Sequence, residues 1–366
     1  MAATRPRRVA FDSTSWTRGS MRLRLHQSRR SPSGLFPASP MAVWIRCGHS
    51  IVGQATVMMV GPVGAGWEWG VPMREQALFE SSVNREFVHK RSVSEVLLTD
   101  FVQSGPDRFI AGAQWPRWHV FYGVQDASAD SALMAETLRQ AVIFLSHQSG
   151  VPLTYKFLMP HMGVSVRTAA LDPLVPTQVD LELEVRDKKF RGGELSNLTV
   201  FAKFSIGGKT IGEGTAGARI VNPATYERFR GVAPAVPAVV DADLLACDDV
   251  GHAAQRNVML GTSVRPSVWP LRVDPTHPIF FDHPLDHVPG MLLVEAARQA
   301  LRVASSRPDA DFASFEAEFV KLVEFSYPID VAVTPAAAGR RCVQEAMTVT
   351  MLHRGEAMMS LLAVPK

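Results

Sequence analysis

Apolar residues in the first half of the chain recur at the spacing of a helix that is buried on one side. From Ser131 to Ser149 these residues are Leu133, Met134, Leu138, Ala141, Val142 and Leu145. Spacing of three and four residues predicts a long central helix in this segment. The second half of the chain predicts a similar helix from Gly290 to about Ser305.

Strand patterns follow both predicted helices. After the first helix, residues 179–185 alternate strictly between apolar and acidic side chains, and residues 198–211 are β-prone around a Gly207-Gly208 hairpin turn. After the second helix, residues 329–334 alternate, and a final pair of strands turns at Arg354-Gly355. Each half is therefore predicted to be a helix followed by antiparallel strands.

The two halves also correspond residue by residue. Glu136-Thr-Leu-Arg139-Gln140-Ala141 matches Glu295-Ala-Ala-Arg298-Gln299-Ala300, and an aromatic pair ends fourteen residues before each glutamate. A repeated unit of this kind predicts an α+β double hotdog, whose two sheets pair edge to edge to form a pseudo-dimer within one chain. We place the first repeat at residues 73–224, a Pro/Ala/Val-rich linker at 225–250 and the second repeat at 251–366.

Charge is distributed unevenly along the chain. Residues 1–50 contain nine Arg, no Lys and one acid, a segment charge of +8, so a chain total of +3 leaves about 3 − 8 = −5 for the remainder. A folded part without excess positive charge gives no reason to expect nucleic-acid binding. Residues 1–72 are rich in Arg, Ser and Pro at their start, and we expect a disordered extension.

The cysteine content and an uncharged segment near the N-terminus limit which cellular compartment we expect. The three cysteines are Cys47, Cys247 and Cys342, too few and too far apart for a disulfide framework or a four-thiolate zinc site. Residues 47–67 carry no charged side chain, but six Gly and Pro residues interrupt them, so we expect no membrane span. A cytoplasmic protein is the prediction.

The largest group of potentially reactive side chains lies just before the second predicted helix. Three histidines and two aspartates fall within eleven residues, namely His277, Asp282, His283, Asp286 and His287. Because Pro284 and Pro289 make a helix improbable there, the histidines would not share a face, and we expect no metal. Pro289-Gly290 predicts a helix start, whose free N–H groups at Gly290 and Met291 would polarise a thioester carbonyl and stabilise its oxyanion.

This stretch resembles the central-helix motif of β-hydroxyacyl-carrier-protein dehydratases, which are hotdog enzymes acting on carrier-bound acyl chains. The shared pattern is Phe280-Phe281, then His283, Pro289-Gly290 and Glu295. His283 stands twelve residues before Glu295, two fewer than in those enzymes. Dehydratase dimers build each site from the His of one repeat and the acid of the other, which implies that His283 pairs with Glu136.

A closer resemblance extends from Phe87 to the C-terminus. It includes Val88-His-Lys-Arg91, Glu95-Val-Leu-Leu-Thr-Asp100, Ala113-Gln-Trp-Pro-Arg117 and Phe281-Asp-His-Pro-Leu-Asp-His-Val-Pro-Gly-Met291. These motifs resemble the A-factor-type γ-butyrolactone signal synthases of filamentous actinobacteria. The resemblance implies transfer of a β-ketoacyl chain from an acyl-carrier-protein thioester to the hydroxyl of dihydroxyacetone phosphate, without a cofactor. Aldol closure to a butenolide phosphate then follows, in the biosynthesis of a signal that controls secondary metabolism.

The resemblance places Glu295, Arg298 and Glu136 on the functional positions of that family. In the implied chemistry, partial burial raises the pKa of Glu295 enough for proton transfer, and the planar fork of Arg298 holds a phosphate. The candidate catalytic residues are Glu295, Arg298, Glu136 and His283, and the candidate substrate-binding residues are Gly290, Met291, Arg139 and His287.

The two helices differ in what precedes them. His283 and Pro289-Gly290 precede Glu295, whereas the stretch before Glu136 contains neither a histidine nor Pro-Gly. This asymmetry favours the second helix as the main site, with Glu136 contributing from across the pseudo-dimer or surviving as structure. The alternative for each Glu and Arg is a solvated intrahelical ion pair.

Two other functions stay open. One is dehydration of β-hydroxyacyl thioesters, against which the short His283 spacing and Arg298 count. The other is a non-catalytic hotdog that binds an acyl ligand, against which the retained glutamates and arginines count. The sequence leaves the acyl chain and the oligomeric state undetermined.

Overall fold

The computed structural model describes residues 41–47, 50–57, 78–123, 129–167, 171–231, 243–336 and 346–366. The chain divides into two compact units, Met1–Arg74 and Glu75–Lys366. In the first unit, β1 (Met41–Cys47) and β2 (Ser50–Val57) form an antiparallel hairpin. This hairpin lies within the segment for which we expected disorder, and the rest of residues 1–72 lies outside the described residues. Its two strands are largely apolar and β-prone, and residues 48–49 separate them.

The second unit contains both predicted long helices, each followed by strands. The first repeat comprises β3 (Leu98–Gly105), β4 (Arg108–Trp115), α1 (Ser131–Gln148), β5 (Lys156–Leu158), β6 (His161–Val166), β7 (Thr177–Arg191), β8 (Glu194–Ile206), β9 (Lys209–Val221) and α2 (Pro223–Arg230). The second comprises β10 (Val268–Pro270), α3 (Gly290–Ser305), β11 (Phe312–Phe319), β12 (Asp330–Pro335), β13 (Met347–His353) and β14 (Glu356–Pro365). Short 3-10 turns occur at Arg85–Val88, Val93–Glu95, Asp248–Val250 and Gln255–Asn257.

Strands β3 to β14 form one antiparallel sheet. Its order is β10-β12-β13-β14-β11-β6-β9-β8-β7-β4-β3, with β5 pairing to β9. The two repeats meet where β6 pairs with β11, and Val164 lies opposite Phe315. On each side of that junction the strands follow in equivalent order, β6-β9-β8-β7-β4 and β11-β14-β13-β12-β10. The predicted double hotdog with edge-to-edge sheets is confirmed.

The strand pattern predicted at residues 179–185 determines which face of β7 meets the core. Val179, Leu181 and Leu183 are buried, whereas Glu182 between them is exposed. Alternation with a period of two puts the apolar set on the helix side of the sheet. The helix α1 lies on that side and is buried around almost its whole circumference.

Glycines in β9 allow α1 to approach the sheet closely. A Cβ atom on Gly212 would clash with the carbonyl oxygen of Ser165 and lie 2.5 Å from the Met134 methyl group. A Cβ atom on Gly214 would lie 2.9 Å from Leu138. The absence of side chains at these two positions therefore lets α1 lie close to β9. This distance in turn affects where the side chains of α1 lie.

Described residues of the linker predicted at 225–250 include part of α2 and the segment 243–250. The helix α2 occupies its start, and residues 232–242 lie outside the described part of the chain. Val250 is buried against the second repeat, and its carbonyl oxygen accepts a hydrogen bond of 2.8 Å from Arg302. Across the residues that the structure describes, no helix is both long and apolar enough to cross a membrane.

Gly212→Ala is expected to lower the free energy of unfolding by about 1–3 kcal/mol, because the added methyl group would clash with the Ser165 carbonyl oxygen of β6 and with the Met134 side chain of α1. Urea unfolding followed by circular dichroism measures this loss. Gly105→Ala is the matched control, since its Cβ would lie at an ordinary 3.5 Å from Arg108, and its effect should stay within about 0.5 kcal/mol. Equal losses in the two variants would contradict this account of the glycine contact.

Candidate active site

The Glu-x-x-Arg-Gln motif of α1 forms a buried cluster. Glu136 accepts hydrogen bonds from Nε (2.7 Å) and Nη2 (2.8 Å) of Arg139 and from Nε2 of Gln140 (2.9 Å). The Lys90 ammonium, 7% exposed as a residue, lies 3.0 Å from Glu136 Oε1. Gln140 also accepts the Leu97 backbone N–H at 2.9 Å. The motif therefore positions a carboxylate and also ties α1 to the chain that leads into β3.

The motif of α3 makes the corresponding bonds. Glu295 accepts from Arg298 Nε (2.9 Å) and Gln299 Nε2 (2.9 Å), and His252 Nε2 lies 2.7 Å from Glu295 Oε1. Gln299 accepts the Met259 backbone N–H at 2.7 Å. His252 thus stands where Lys90 stands in the first repeat. The pseudo-symmetry of the two repeats extends to individual hydrogen bonds.

Both motif glutamates are ionised. Burial alone would raise the pKa of Glu136, but the charges of Arg139 and Lys90 outweigh burial and hold the pKa below its ordinary value. At Glu295 burial acts in the same direction, and Arg298 with the His252 hydrogen bond again lowers the pKa. The predicted rise in the pKa of Glu295 is therefore wrong, because complete burial comes with cationic partners.

A cavity of about 850 Å³ lies beside the first motif. Six of the eight candidate site residues line it: Glu136, Arg139, His283, His287, Gly290 and Met291. Glu295 and Arg298 do not. The N-terminus of α3 lines this cavity, whereas the carboxylate and the guanidinium that line it come from α1.

Apolar side chains also line the cavity. They come from α1, from the chain around β5, from α3 and from β11 with the residues after it, namely Val142, Ile143, Phe157, Leu158, Leu293, Phe319 and Leu322. The volume lies within the range of about 300–1,000 Å³ that is usual for ligand pockets. The cavity wall thus offers apolar surface for an acyl chain together with charged and polar groups.

Arg298 is enclosed by carboxylates and cannot reach the cavity. Its Nη1 lies 3.0 Å from Asp130 Oδ2 and 3.5 Å from Asp311 Oδ1, and its Nη2 lies 2.7 Å from Glu295 Oε2. Only 2% of its side chain is exposed, against 19% for Arg139. We call the side of the pseudo-dimer around Arg298 the closed side, and the side around its counterpart Arg139, which lines the cavity, the open side. The predicted phosphate anchor thus lies on the closed side.

The two helix starts explain why one side is closed. Asp130 and Pro289 are the N-caps, each six residues before its motif glutamate. The Asp130 carboxylate accepts the N–H groups of Ala132 (2.8 Å) and Leu133 (3.0 Å) and also binds Arg298. An aspartate therefore bridges the α1 start to the arginine of the other repeat.

The start of α3 has no such bridge. Pro289 offers no side-chain acceptor, and within the described residues the N–H groups of Gly290 and Met291 have no hydrogen-bond partner. Both residues line the cavity together with Arg139. The position that a carboxylate fills on the closed side is thus free on the open side for an anionic group of a ligand.

His283 lies in the cavity wall on the loop before α3. Its Nδ1 is buried without a hydrogen-bond partner among the described residues, while 34% of its side chain is exposed. Burial lowers the pKa of His283, and the nearby charge of Arg139 lowers it further. The structure thus brings His283 and Glu136 to the same cavity, as the resemblance to the dehydratases implies.

Three residues of this region were missed by sequence reasoning. Lys90 and His252 bind the motif glutamates, yet no spacing in the chain predicts which loop reaches each helix. His89 lines the cavity in a left-handed conformation (φ 52°), and its Nε2 lies 3.0 Å from Nε2 of His147. Burial lowers the pKa of His89 to about 3, so its ring is neutral. A left-handed backbone conformation at a non-glycine residue can mark a functional site. This conformation is visible in the structure and not in the sequence.

His277 is buried and organises the turn that leads to Phe280. Its Nδ1 accepts the backbone N–H groups of Ile279 (3.3 Å) and Phe280 (3.4 Å), and its Nε2 lies 3.2 Å from Asn257 Oδ1. Burial lowers the pKa of His277 to about 4, with opposing effects from Asp274 and Glu295. A proton on Nδ1 would remove the acceptor of this turn.

Acidification is expected to destabilise the fold through His277. The unfolded chain binds the proton near pH 6.5 and the folded chain near pH 4, so the stability contribution is full above about pH 6.5 and is lost as the pH falls toward 4. The slope is up to about 1.4 kcal/mol per pH unit. His277→Asn keeps an acceptor but cannot titrate, so urea unfolding at about pH 7 and pH 5 should show a difference about 2 kcal/mol smaller than in the wild type. An unchanged difference would contradict this role.

A family model described as the A-factor biosynthesis hotdog domain matches residues 73–222 and 242–360. A 2-oxo-3-(phosphooxy)propyl 3-oxoalkanoate synthase from Streptomyces virginiae is 36% identical over 262 residues, which are 70% of this chain and 89% of the relative. Proteins of the same name are 34% identical in Streptomyces coelicolor, over 69% of this chain and 82% of the relative, and 33% identical in Streptomyces griseus, over 70% and 87%. The matched ranges contain α1, α3 and all the candidate site residues.

Proposed function

The chain belongs to the A-factor biosynthesis hotdog family, and we propose from this membership that it transfers a β-ketoacyl chain from a thioester to the hydroxyl of dihydroxyacetone phosphate. The name of its relatives describes the ester that this reaction forms. The hydroxyl oxygen bonds to the acyl carbon, the carbon–sulfur bond breaks, and the hydroxyl proton ends on the released thiol. The donor in this proposal is an acyl carrier protein, and the ester serves the biosynthesis of a γ-butyrolactone-type signal.

The observation that carries the site assignment is the pair of N–H groups at Gly290 and Met291, which have no hydrogen-bond partner among the described residues and share a cavity with Arg139. In the proposal the thioester carbonyl lies above the α3 start, where the two donors stabilise the oxyanion that develops during attack. The apolar part of the cavity takes the acyl chain. Support comes from the closed side, where the α1 start already holds the carboxylate of Asp130.

We assign the phosphate to Arg139 rather than to Arg298. Nε and Nη2 of Arg139 hold Glu136, which leaves Nη1 for a ligand, and the side chain is partly exposed to the cavity. A guanidinium fixed by a carboxylate is preorganised, so it can bind phosphate without first losing side-chain freedom. Glu136 in this proposal orients Arg139 and does not itself transfer a proton.

The dehydratase alternative is weaker on this geometry. Dehydration requires an acid that delivers a proton to the leaving hydroxyl, and Glu136 is held ionised by Arg139 and Lys90. A non-catalytic acyl binder would need neither a pair of N–H groups that is unpaired within the described residues nor a guanidinium in the cavity wall.

The reaction is tested by incubating the purified chain with β-ketoacyl carrier protein and dihydroxyacetone phosphate and analysing the products by mass spectrometry. We expect the phosphorylated ester or the butenolide phosphate into which it closes. Tight binding of the acyl chain without product would favour the non-catalytic alternative. Hydration of a crotonyl thioester without ester formation would favour a dehydratase.

The pseudo-symmetric arginines supply a matched pair of variants. Arg139→Lys keeps a charge beside Glu136 but loses the planar fork, so KM for dihydroxyacetone phosphate should rise at least about tenfold, equivalent to about 1.4 kcal/mol. Arg298→Lys instead loosens a buried cluster of three carboxylates and should lower the free energy of unfolding by about 3 kcal/mol. Its KM at a temperature where it stays folded should be close to that of the wild type. A raised KM in Arg298→Lys alone would contradict the assignment.

A further inference from the structure

Acyl transfer needs a group that removes the hydroxyl proton, and His283 and His287 both line the cavity. We propose that His287 is this general base and that Asp286, held by helix α2, is its positioning residue. The inference rests on the proposed function and goes beyond it, because it assigns the proton transfer to one side chain. It also changes the expected role of His287 from substrate binding and that of His283 from catalysis.

The contact between His287 and Asp286 selects the tautomer of the neutral ring. Nδ1 of His287 lies 2.7 Å from Oδ1 of Asp286. Burial would raise the pKa of Asp286, but its hydrogen bonds with His287 and Tyr226 and the charge of Arg230 hold the pKa below the ordinary value. Because an ionised carboxylate only accepts hydrogen bonds, Nδ1 carries a hydrogen, so in the neutral ring the lone pair is on Nε2. This is the tautomer that a general base requires.

Helix α2 of the first repeat holds Asp286 in place. The Tyr226 hydroxyl lies 2.9 Å from each carboxylate oxygen, and Arg230 donates to Oδ2 through Nε at 3.1 Å. Arg230 also donates to the Asp286 carbonyl oxygen at 2.6 Å and pairs with Glu324. With donors on both carboxylate oxygens and on the backbone, Asp286 is held in one position, and the His287 ring with it.

The charges around His283 disfavour this residue as the general base. When a base accepts the hydroxyl proton it becomes an imidazolium, and His283 would do so beside the cations Arg139 and Lys90. The nearest carboxylate, Asp282, is 3.8 Å from His283 Nδ1 and already accepts the Ser92 backbone N–H at 2.9 Å. His287 would become charged against a carboxylate at 2.7 Å. The local field therefore favours proton transfer at His287.

The proton balance closes on one residue. Nε2 of His287 takes the proton as the hydroxyl oxygen bonds to the acyl carbon, and Asp286 stabilises the imidazolium that forms. The same proton passes to the sulfur when the carbon–sulfur bond breaks, so His287 returns to its neutral form. His287 precedes Gly290 by three residues, which connects the base directly to the start of the helix that holds the oxyanion.

The test measures ester formation in His287→Ala and His283→Ala, with folding checked by circular dichroism. We expect kcat to fall about 10²- to 10⁴-fold in His287→Ala, as for loss of a general base, and to recover when imidazole is added. His283→Ala should lose less activity and gain nothing from imidazole. A larger loss in His283→Ala, or no recovery of His287→Ala with imidazole, would overturn the assignment of the base.

Asp286→Asn tests the positioning role separately. The substitution keeps the size of the side chain but removes its charge, so kcat should fall about 10- to 100-fold while KM for both substrates stays within about twofold. A raised KM without loss of kcat would show that Asp286 serves binding only and would overturn its role. If wild-type protein forms no ester, the proposed function and this inference fail together, whereas ester formation with an active His287→Ala removes this inference alone.

Discussion

The ion pair between Asp130 and Arg298, with its 3.0 Å contact, joins the start of α1 to the middle of α3. Both groups are buried, so each needs the other to compensate for lost hydration. Asp311 and Glu295 complete the cluster and leave the guanidinium no free side. The pair therefore holds the two central helices together and also closes one of the two pseudo-symmetric sites.

At the open site, the positions equivalent to those of the closed site carry different residues. Proline replaces aspartate at the N-cap of α3, so the first N–H groups of this helix stay unpaired within the described part of the chain. Arg139 keeps part of its surface exposed. The close approach of α1 to the glycines of β9 fixes the height at which Arg139 is presented. Of the two copies of the motif, the one in α3 thus helps to hold the central helices together. The copy in α1 lies beside a cavity of about 850 Å³.

The fold was predictable because its signals are local. Helical spacing located α1 and α3, and strict alternation located β7, since both patterns depend only on neighbours in the chain. The choice between the two motifs depends on contacts that chain spacing does not fix, because the start of one helix lies beside residues of the other repeat. His283 and Pro289-Gly290 precede Glu295 in the sequence, yet in space they lie beside the cavity of Glu136.

The residues that tune the site were harder to predict. Lys90, His252 and Asp130 reach the motifs from separate loops or from the opposite helix, and no spacing fixes such contacts. The pKa of Glu295 could not be predicted for the same reason, since the partners that outweigh the effect of burial include His252, which comes from elsewhere in the chain.

The most direct measurement of the central claim is a crystal structure with dihydroxyacetone phosphate and an unreactive β-ketoacyl pantetheine amide. We predict the acyl carbonyl oxygen about 3 Å from the N–H groups of Gly290 and Met291, with the phosphate on Arg139. An acyl carbonyl or phosphate bound beside Glu295 and Arg298 would contradict the account.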